Sequence, residues 1–432
     1  MRFIYPRTGK LPNAPRKHAK ATNPDIVVVG AGAAGIAAAH HLHASGISYV
    51  HIEAASRPGG RAYTETDTFG VPFDRGAHWL QHGMRNPYVK FAKDRFYQVY
   101  DAPQKYLVLT NRGIASKSEE TQLWQAYEKA AASIRVAGCA GHDIALSAAV
   151  PTAEPWSHTA NFMIGPWDMG KDMHRFSCVD WSHSADSSDA YVAEGFGTLV
   201  TEHAATLPIH LNTSATQIRW QGPGVNVETN KGTIHAKAVI ITVSTGVLAN
   251  QAIAFDPPLP VRKQEAFHAI SMGDYNHIAV MFDRDVFGLG ADGYVLHQVT
   301  DDQTAFGGLT NAHGSGLAYF DVGGSFAAEL EKAGQAAAID FVLNTLKQSL
   351  GSGIQRHFKR GAATAWRSDP LVRGCYASAE PGKQNMRTAL REPVADRIFF
   401  AGEACHPDMW ATVGGAALSG LETAQHVVKT LN

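Results

Sequence analysis

Residues 25–53 constrain this chain more than any other stretch. Asp25 to Val29 is a short β-branched run, and it breaks into Gly30-Ala31-Gly32-Ala33-Ala34-Gly35. An alanine-rich segment of good helix propensity follows through Leu42. The order strand, glycine turn, helix gives each glycine a separate task. Gly30 permits the tight turn, Gly32 lets a pyrophosphate approach the backbone, and Gly35 lets the helix pack close on the strand. Ala33 and Ala34 open a helix whose unpaired N–H groups and positive dipole end suit phosphates. A second strand, Ser48 to Ile52, ends at Glu53, 18 residues past Gly35. That is close to the roughly 20 expected for an acid that grips a ribose hydroxyl. The segment therefore predicts a Rossmann-type dinucleotide site.

The remaining chain is too long to belong to that unit alone. With 432 residues, 45% of them hydrophobic and 18% charged, it can build two or three packed domains. A net charge of −1 gives no footprint for nucleic acid, and no apolar run reaches the about 18 residues of a membrane span. Residues 1–24 read as a basic, proline-containing extension without the apolar core of a secretory signal. The cysteines at 139, 178, 375 and 405 fit neither a zinc site nor a disulfide framework. No metal site is expected, and a reducing cytoplasm is the expected location.

After Glu53 the chain reads Ala54-Ala55-Ser56-Arg57-Pro58-Gly59-Gly60-Arg61. Two arginines and two glycines beside a diphosphate supply charge-assisted donors without bulk. This run resembles the signature of the flavin amine oxidase superfamily, monoamine and polyamine oxidase-like. The resemblance implies FAD, with Glu53 and Ala54 at the adenosine ribose and Arg57, Gly60 and Arg61 along the pyrophosphate and flavin. Asp74-Arg75-Gly76-Ala77-His78-Trp79 resembles the family segment that passes the isoalloxazine ring. Further patches are Gly195-Phe196-Gly197-Thr198-Leu199, a strand position at Ala215 set beside the adenine, and the loop Asp256-Pro257-Pro258. Trp366, the strand end Ile398 to Gly402-Glu403, and a last helix opening near Thr412-Val413 and Ala416 complete the implied cofactor set.

The resemblance implies an α/β fold in which a Rossmann-type FAD-binding domain is interleaved with an α+β substrate-binding domain. The expected boundaries place the FAD-binding parts at 25–85, 191–262 and 363–432, and the substrate-binding parts at 86–190 and 263–362. Glu119 to Val136 is a predicted helix of the latter, with acids near its start and apolar residues at helical spacing. The stretch 151–189 gives no assignable pattern.

Three positions carry the implied chemistry. Cys375 stands where one branch of the family bonds its flavin through sulfur, a bond that a nucleophilic thiolate suits. Tyr376 matches one of two aromatic residues that flank the amine, and the matching position for the other is Thr412, with Trp410 close by. His277 stands where most of the family has a lysine that holds a water near the flavin; a histidine is shorter and is not reliably cationic at neutral pH. His78, His82, His183 and His406 are further acid–base candidates, with His78 and His406 the stronger two. The expected reaction is oxidation of a small amine to an imine, hydrolysed to a carbonyl, with O2 reduced to H2O2. Alternatives are an L-amino acid oxidase, a flavin dehydrogenase or desaturase that reacts poorly with oxygen, and a flavin-binding protein without turnover. Oligomeric state is open, with a homodimer as one option.

Overall fold

The computed structural model describes residues 23–431, apart from 82, 103, 152–155, 186–188 and 301–303. The basic extension and His82 therefore lie outside the described residues. A five-stranded parallel sheet runs Ile209–His210, Tyr49–Ile52, Ile26–Val29, Ala238–Ile241, Ile398–Phe400. Its central strands Ile26–Val29 and Ala238–Ile241 are buried at every position. Helices cover both faces of such a sheet, which is why these strands read as unbroken apolar runs rather than alternating ones. Burying each of these Val and Ile side chains contributes about 1.5–3 kcal/mol.

The three glycines of the turn perform different work. Gly30 has a φ of +101°, a conformation that favours glycine. A Cβ on Gly35 would lie 1.9 Å from the Gly30 carbonyl oxygen, so the helix Ala33–Ala44 sits directly on the turn. A Cβ on Gly32 would meet nothing within 4 Å. The C-terminal helix Val413–Leu431 packs along Ala33–Ala44 at comparable range, since a Cβ on Gly420 would lie 2.0 Å from the Ala34 carbonyl oxygen.

Residues 209 to 219 supply two strands to different sheets. Ile209–His210 joins the parallel sheet, while Ala215–Arg219 enters a four-stranded sheet with Val225–Thr229, Gly232–Ala236 and Ala254–Asp256. Asn212 turns the chain between them at φ +52°, a conformation asparagine tolerates, and the Thr213 N–H donates to the Glu53 carbonyl.

A seven-stranded mixed sheet takes its strands from elsewhere in the chain, in the order Phe358–Ala363, Tyr275–Phe282, Leu317–Gly323, Gly307–Thr310, Gly293–His297, Tyr106–Thr110, Gly113–Ile114. The helix Lys117–Cys139 spans the predicted one and begins with a capping box in which Ser116 and Glu119 satisfy each other's backbone N–H groups. Residues 156–183 form short pieces under it. They include Ser157–Phe162, a π-helical turn Met163–Trp167 around Pro166, and Cys178–His183. The Gly195-Phe196-Gly197 motif opens the helix Phe196–Ala204, whose first N–H groups donate to the buried Asp74 carboxylate at 3.1 and 3.3 Å. That contact joins this helix to the ring-passing segment.

Candidate active site

A cavity of about 970 Å³ runs from the glycine turn to the seven-stranded sheet. At the turn end it is lined by Gly30, Gly32, Ala33 and Ala34. The helix there begins at Gly32 without any side-chain cap, leaving its first-turn N–H groups to the cavity. Glu53 accepts from the Ala31 N–H at 2.6 Å and the Ala55 N–H at 2.8 Å. Burial still holds its carboxyl above the ordinary range, against the pull of those amides and of Arg57. A carboxylate offers about four lone-pair sites, so acceptor capacity remains for a diol. Ala54, Ala215 and the Thr213–Thr216 strand entry close this end. The Cβ space at Gly32, the uncapped helix and the acid together fit a dinucleotide.

The middle of the cavity is organised by two arginines. Arg57 lies over the Tyr63 ring at 3.7 Å and donates to the Gly60 carbonyl at 2.9 Å. Arg61 donates to the Cys375 carbonyl at 2.7 Å and pairs with Glu403 at 2.8 Å. Glu403 also accepts from the Ala411 N–H at 2.9 Å. Segments more than 300 residues apart are thus tied at one carboxylate beside Gly402. Trp366 donates to the Arg75 carbonyl at 2.9 Å, and its ring lies 3.0 Å from where a Cβ on Gly76 would be. Gly76, Ala77, His78, Trp79 and Trp366 make one wall, while Val413 and Ala416, on the first turn of the last helix, line the cavity as well. Of the cofactor residues implied by the sequence, Gly35 lies behind the cavity rather than on it, and of the acid–base candidates His183 and His406 do not line it.

The far end holds Tyr376, whose hydroxyl donates to the Asp168 carbonyl at 2.9 Å. The ring facing it is Tyr275, with centroids 5.9 Å apart. Thr412 lines the same cavity. Its hydroxyl donates to the Met409 carbonyl at 2.7 Å and accepts from the Gly415 N–H at 2.9 Å, so it caps the last helix. Trp410, 2% exposed, also lines this end. Cys375 lines the cavity with Sγ packed on Gly170, and burial pushes its thiol well above the ordinary range, with Asp274 adding to the rise.

His277 is not free to hold a water. Its Nδ1 lies 2.5 Å from Asp321 Oδ1 and its Nε2 lies 2.8 Å from the Gly76 carbonyl oxygen. Burial works against its charge, yet the Asp321 carboxylate, the Gly76 carbonyl and Asp74 outweigh it and raise its pKa. These neighbours favour the charged form of the ring. His78 is buried beside it, with ring centroids 4.8 Å apart, and burial together with His277 lowers its pKa well below the ordinary value. His406 accepts at Nδ1 from the Met409 N–H at 3.0 Å, and burial lowers its pKa to about 4, which makes it a neutral structural acceptor. His183 ends the short helix Cys178–His183.

Sequence reasoning missed Tyr275, Asp168 and Asp189, all of which line the cavity. Asp168 follows the π-helical turn Met163–Trp167, an irregularity frequent at functional sites. Burial and the neighbouring Asp189 carboxylate raise its pKa to about 7. The Trp167-Asp168-Met169-Gly170 run offered no periodic signal from which this could be read.

Comparisons with known proteins agree with this geometry. Residues 154–428 match the family model of flavin containing amine oxidoreductases, and residues 28–95 match that of NAD(P)-binding Rossmann-like domains. Polyamine oxidase 4 of Oryza sativa subsp. japonica is 29% identical over 95% of this chain and 90% of its own length. Lysine-specific histone demethylase 1 homolog 1 of the same plant is 27% identical over 94% of this chain and 52% of its own. Putrescine oxidase bound to putrescine has the same fold, with a TM-score of 0.78 at 19% identity over 94% of this chain and 99% of that one. Its redesigned cofactor-site double mutant superposes equally well, at 0.78 and 20% identity. The two-domain architecture, a Rossmann-like domain joined to a substrate-binding domain, is thus an amine oxidase fold. No described helix is long and apolar enough to cross a membrane. The chain belongs to the flavin-containing amine oxidoreductase family, and it is an oxidoreductase that uses a flavin to act on an amine.

Proposed function

We propose that this enzyme holds FAD and oxidises a diamine or polyamine to an imine, which water hydrolyses to a carbonyl, with O2 as electron acceptor and H2O2 as product. The observation that carries the substrate class is the pair Asp168 and Asp189 in the same cavity wall as Tyr376. Two carboxylates at one end of an otherwise mixed cavity suit a second ammonium beyond the reacting nitrogen. The names of the polyamine and putrescine oxidases above point the same way. Glu53 would hold the ribose, the uncapped helix with Arg57 and Arg61 the pyrophosphate, and the Gly76–Trp79 wall with Trp366 the ring. When bound, the flavin supplies the two-electron acceptor for the amine C–H. Tyr376 and Tyr275 orient the substrate chain, and the enclosed walls keep water from the reacting carbon.

An anaerobic amine panel tests this. Polyamines should bleach the flavin, and air should then yield peroxide in equal amount. Failure of every amine and amino acid to bleach it would overturn the reading and favour a protein without turnover. Bleaching without peroxide would favour a dehydrogenase, a second reading supported by the occupation of both His277 nitrogens by protein acceptors.

Asp168→Asn is expected to raise the KM for a polyamine about tenfold, the loss of one charge-assisted contact, with little change for a monoamine. Because the Asp168 carboxyl titrates at about 7, the wild-type KM for polyamines should rise as pH falls through that value and the carboxylate is protonated. An equal KM change for both substrates would refute the subsite. The raised Cys375 thiol favours flavin held without a covalent bond. Acid precipitation should release all the yellow colour; colour kept by wild type and lost in Cys375→Ser would establish a sulfur link instead.

A further inference from the structure

We propose that His277 is a permanent imidazolium in the active-site wall, a fixed positive charge rather than a proton shuttle, and that it obliges the nitrogen being oxidised to bind uncharged. The claim rests on the proposed amine oxidation for its consequence, and on geometry for the charge itself. A neutral imidazole has one donor and one acceptor. Here both nitrogens face acceptors, Asp321 Oδ1 at 2.5 Å and the Gly76 carbonyl at 2.8 Å. A carbonyl cannot donate, so Nε2 carries a hydrogen; the Nδ1–Asp321 contact holds one more proton, which we place on the ring because Asp321, Gly76 and Asp74 all favour the charged imidazole.

The groups around the ring support the same state. Asp321, on the paired strand Leu317–Gly323, is 0% exposed, and Asp74 adds a second carboxylate. Tyr275 and Tyr319 pack edge-on at 5.6 and 5.2 Å. His78 is the one other basic group against the ring among these, and it stays neutral. The ion pair is oriented: His277 lines the cavity while Asp321 lies buried behind it. Tyr275 stands between the imidazolium and Tyr376, 5.6 Å from one and 5.9 Å from the other. A nitrogen held at the tyrosine pair is therefore about one ring from a fixed cation. A like charge at that range disfavours an ammonium, whereas the Asp168–Asp189 end favours one. The cavity is thus polarised, and a polyamine enters with its uncharged nitrogen toward His277.

Histidine-selective 15N NMR of the flavin-loaded enzyme tests the charge, with His277→Gln supplying the assignment. Both His277 nitrogens should remain protonated across neutral and mildly alkaline pH. A neutral His277, with the proton on Asp321, would overturn the proposal. Asp321→Asn should convert the same resonances to an ordinary titration near about 6.5, and it gives the assignment should His277→Gln not fold. For the consequence, the acid limb of flavin reduction by polyamine should move upward by about one pH unit in His277→Gln, since the bound amine then holds its proton more tightly. An unmoved limb would refute the consequence. Should no amine reduce the flavin, the proposed function fails, while the NMR result still decides the charge.

Discussion

Gly32→Val is expected to give a folded protein that no longer retains flavin. A Cβ on Gly32 meets no protein atom within 4 Å, and Gly32 has φ −75° and ψ −178°, which any residue adopts. The substitution thus leaves the turn unstrained and fills only cavity space beside the uncapped helix. Flavin per protein should fall more than tenfold, the effect of a lost contact worth about 1.4 kcal/mol or more, with the far-ultraviolet circular dichroism unchanged. Gly35→Ala should do the reverse. Its Cβ would lie 1.9 Å from the Gly30 carbonyl oxygen, so helix and strand must separate. Such overpacking costs about 3 kcal/mol or more, visible as loss of soluble protein. A Gly32→Val enzyme that purifies fully yellow would refute the placement of the cofactor.

The second large effect concerns Arg387, buried at 3% exposure, which pairs with Asp180 through contacts of 2.8 and 2.6 Å and donates to the Ala404 carbonyl at 2.7 Å. Its guanidinium lies 5.2 Å from the centroid of Trp410, a cavity residue, and Asp180 accepts from the Ala379 N–H at 2.7 Å. This cluster joins the pieces around Cys178–His183 to the strand Ala377–Ala379 that follows Tyr376. Arg387→Met leaves a fully buried carboxylate without its counter-ion, which costs about 3–5 kcal/mol. Adding Asp180→Asn removes that charge while keeping an acceptor for Ala379, and should recover most of the loss. Denaturant titration of the single and double variants measures both; a single variant within 1 kcal/mol of wild type, on the scale of ordinary surface changes of about 0.5 kcal/mol, would show that the pair does not stabilise the fold.

The glycine turn was legible because its requirements are local. Each of Gly30, Gly32 and Gly35 answers a constraint set by residues within one strand–turn–helix unit, and Glu53 follows on the next strand. The helix Lys117–Cys139 was legible for the same reason, through the acids near its start and its apolar spacing. The division at Asn212 was not, because the sheet each flanking strand joins is set by partners far away in the chain, Tyr49–Ile52 for one and Val225–Thr229 for the other.

The amine end of the site was only half legible. Tyr376 carried a motif, but Thr412 matched by position alone, and the pairing Tyr275–Tyr376 joins residues about a hundred positions apart through a sheet no local pattern encodes. Asp168 stood in a stretch without periodicity, where the π-helical turn at Pro166 disrupts the very spacing by which helices are recognised. His277 shows the limit most clearly. Its identity gave a weak, pH-dependent base; its two partners, Asp321 across a strand pair and the Gly76 carbonyl 201 residues away, were set by the fold.

By itself, then, the sequence determined the dinucleotide turn, because backbone geometry and phosphate binding are met within thirty residues. The tertiary structure decided which aromatic faces Tyr376, that Thr412 caps a helix, and that both nitrogens of His277 face acceptors. Those properties depend on burial and on partners brought together from distant segments, and electrostatics in a buried site is set by neighbours in space rather than in the chain.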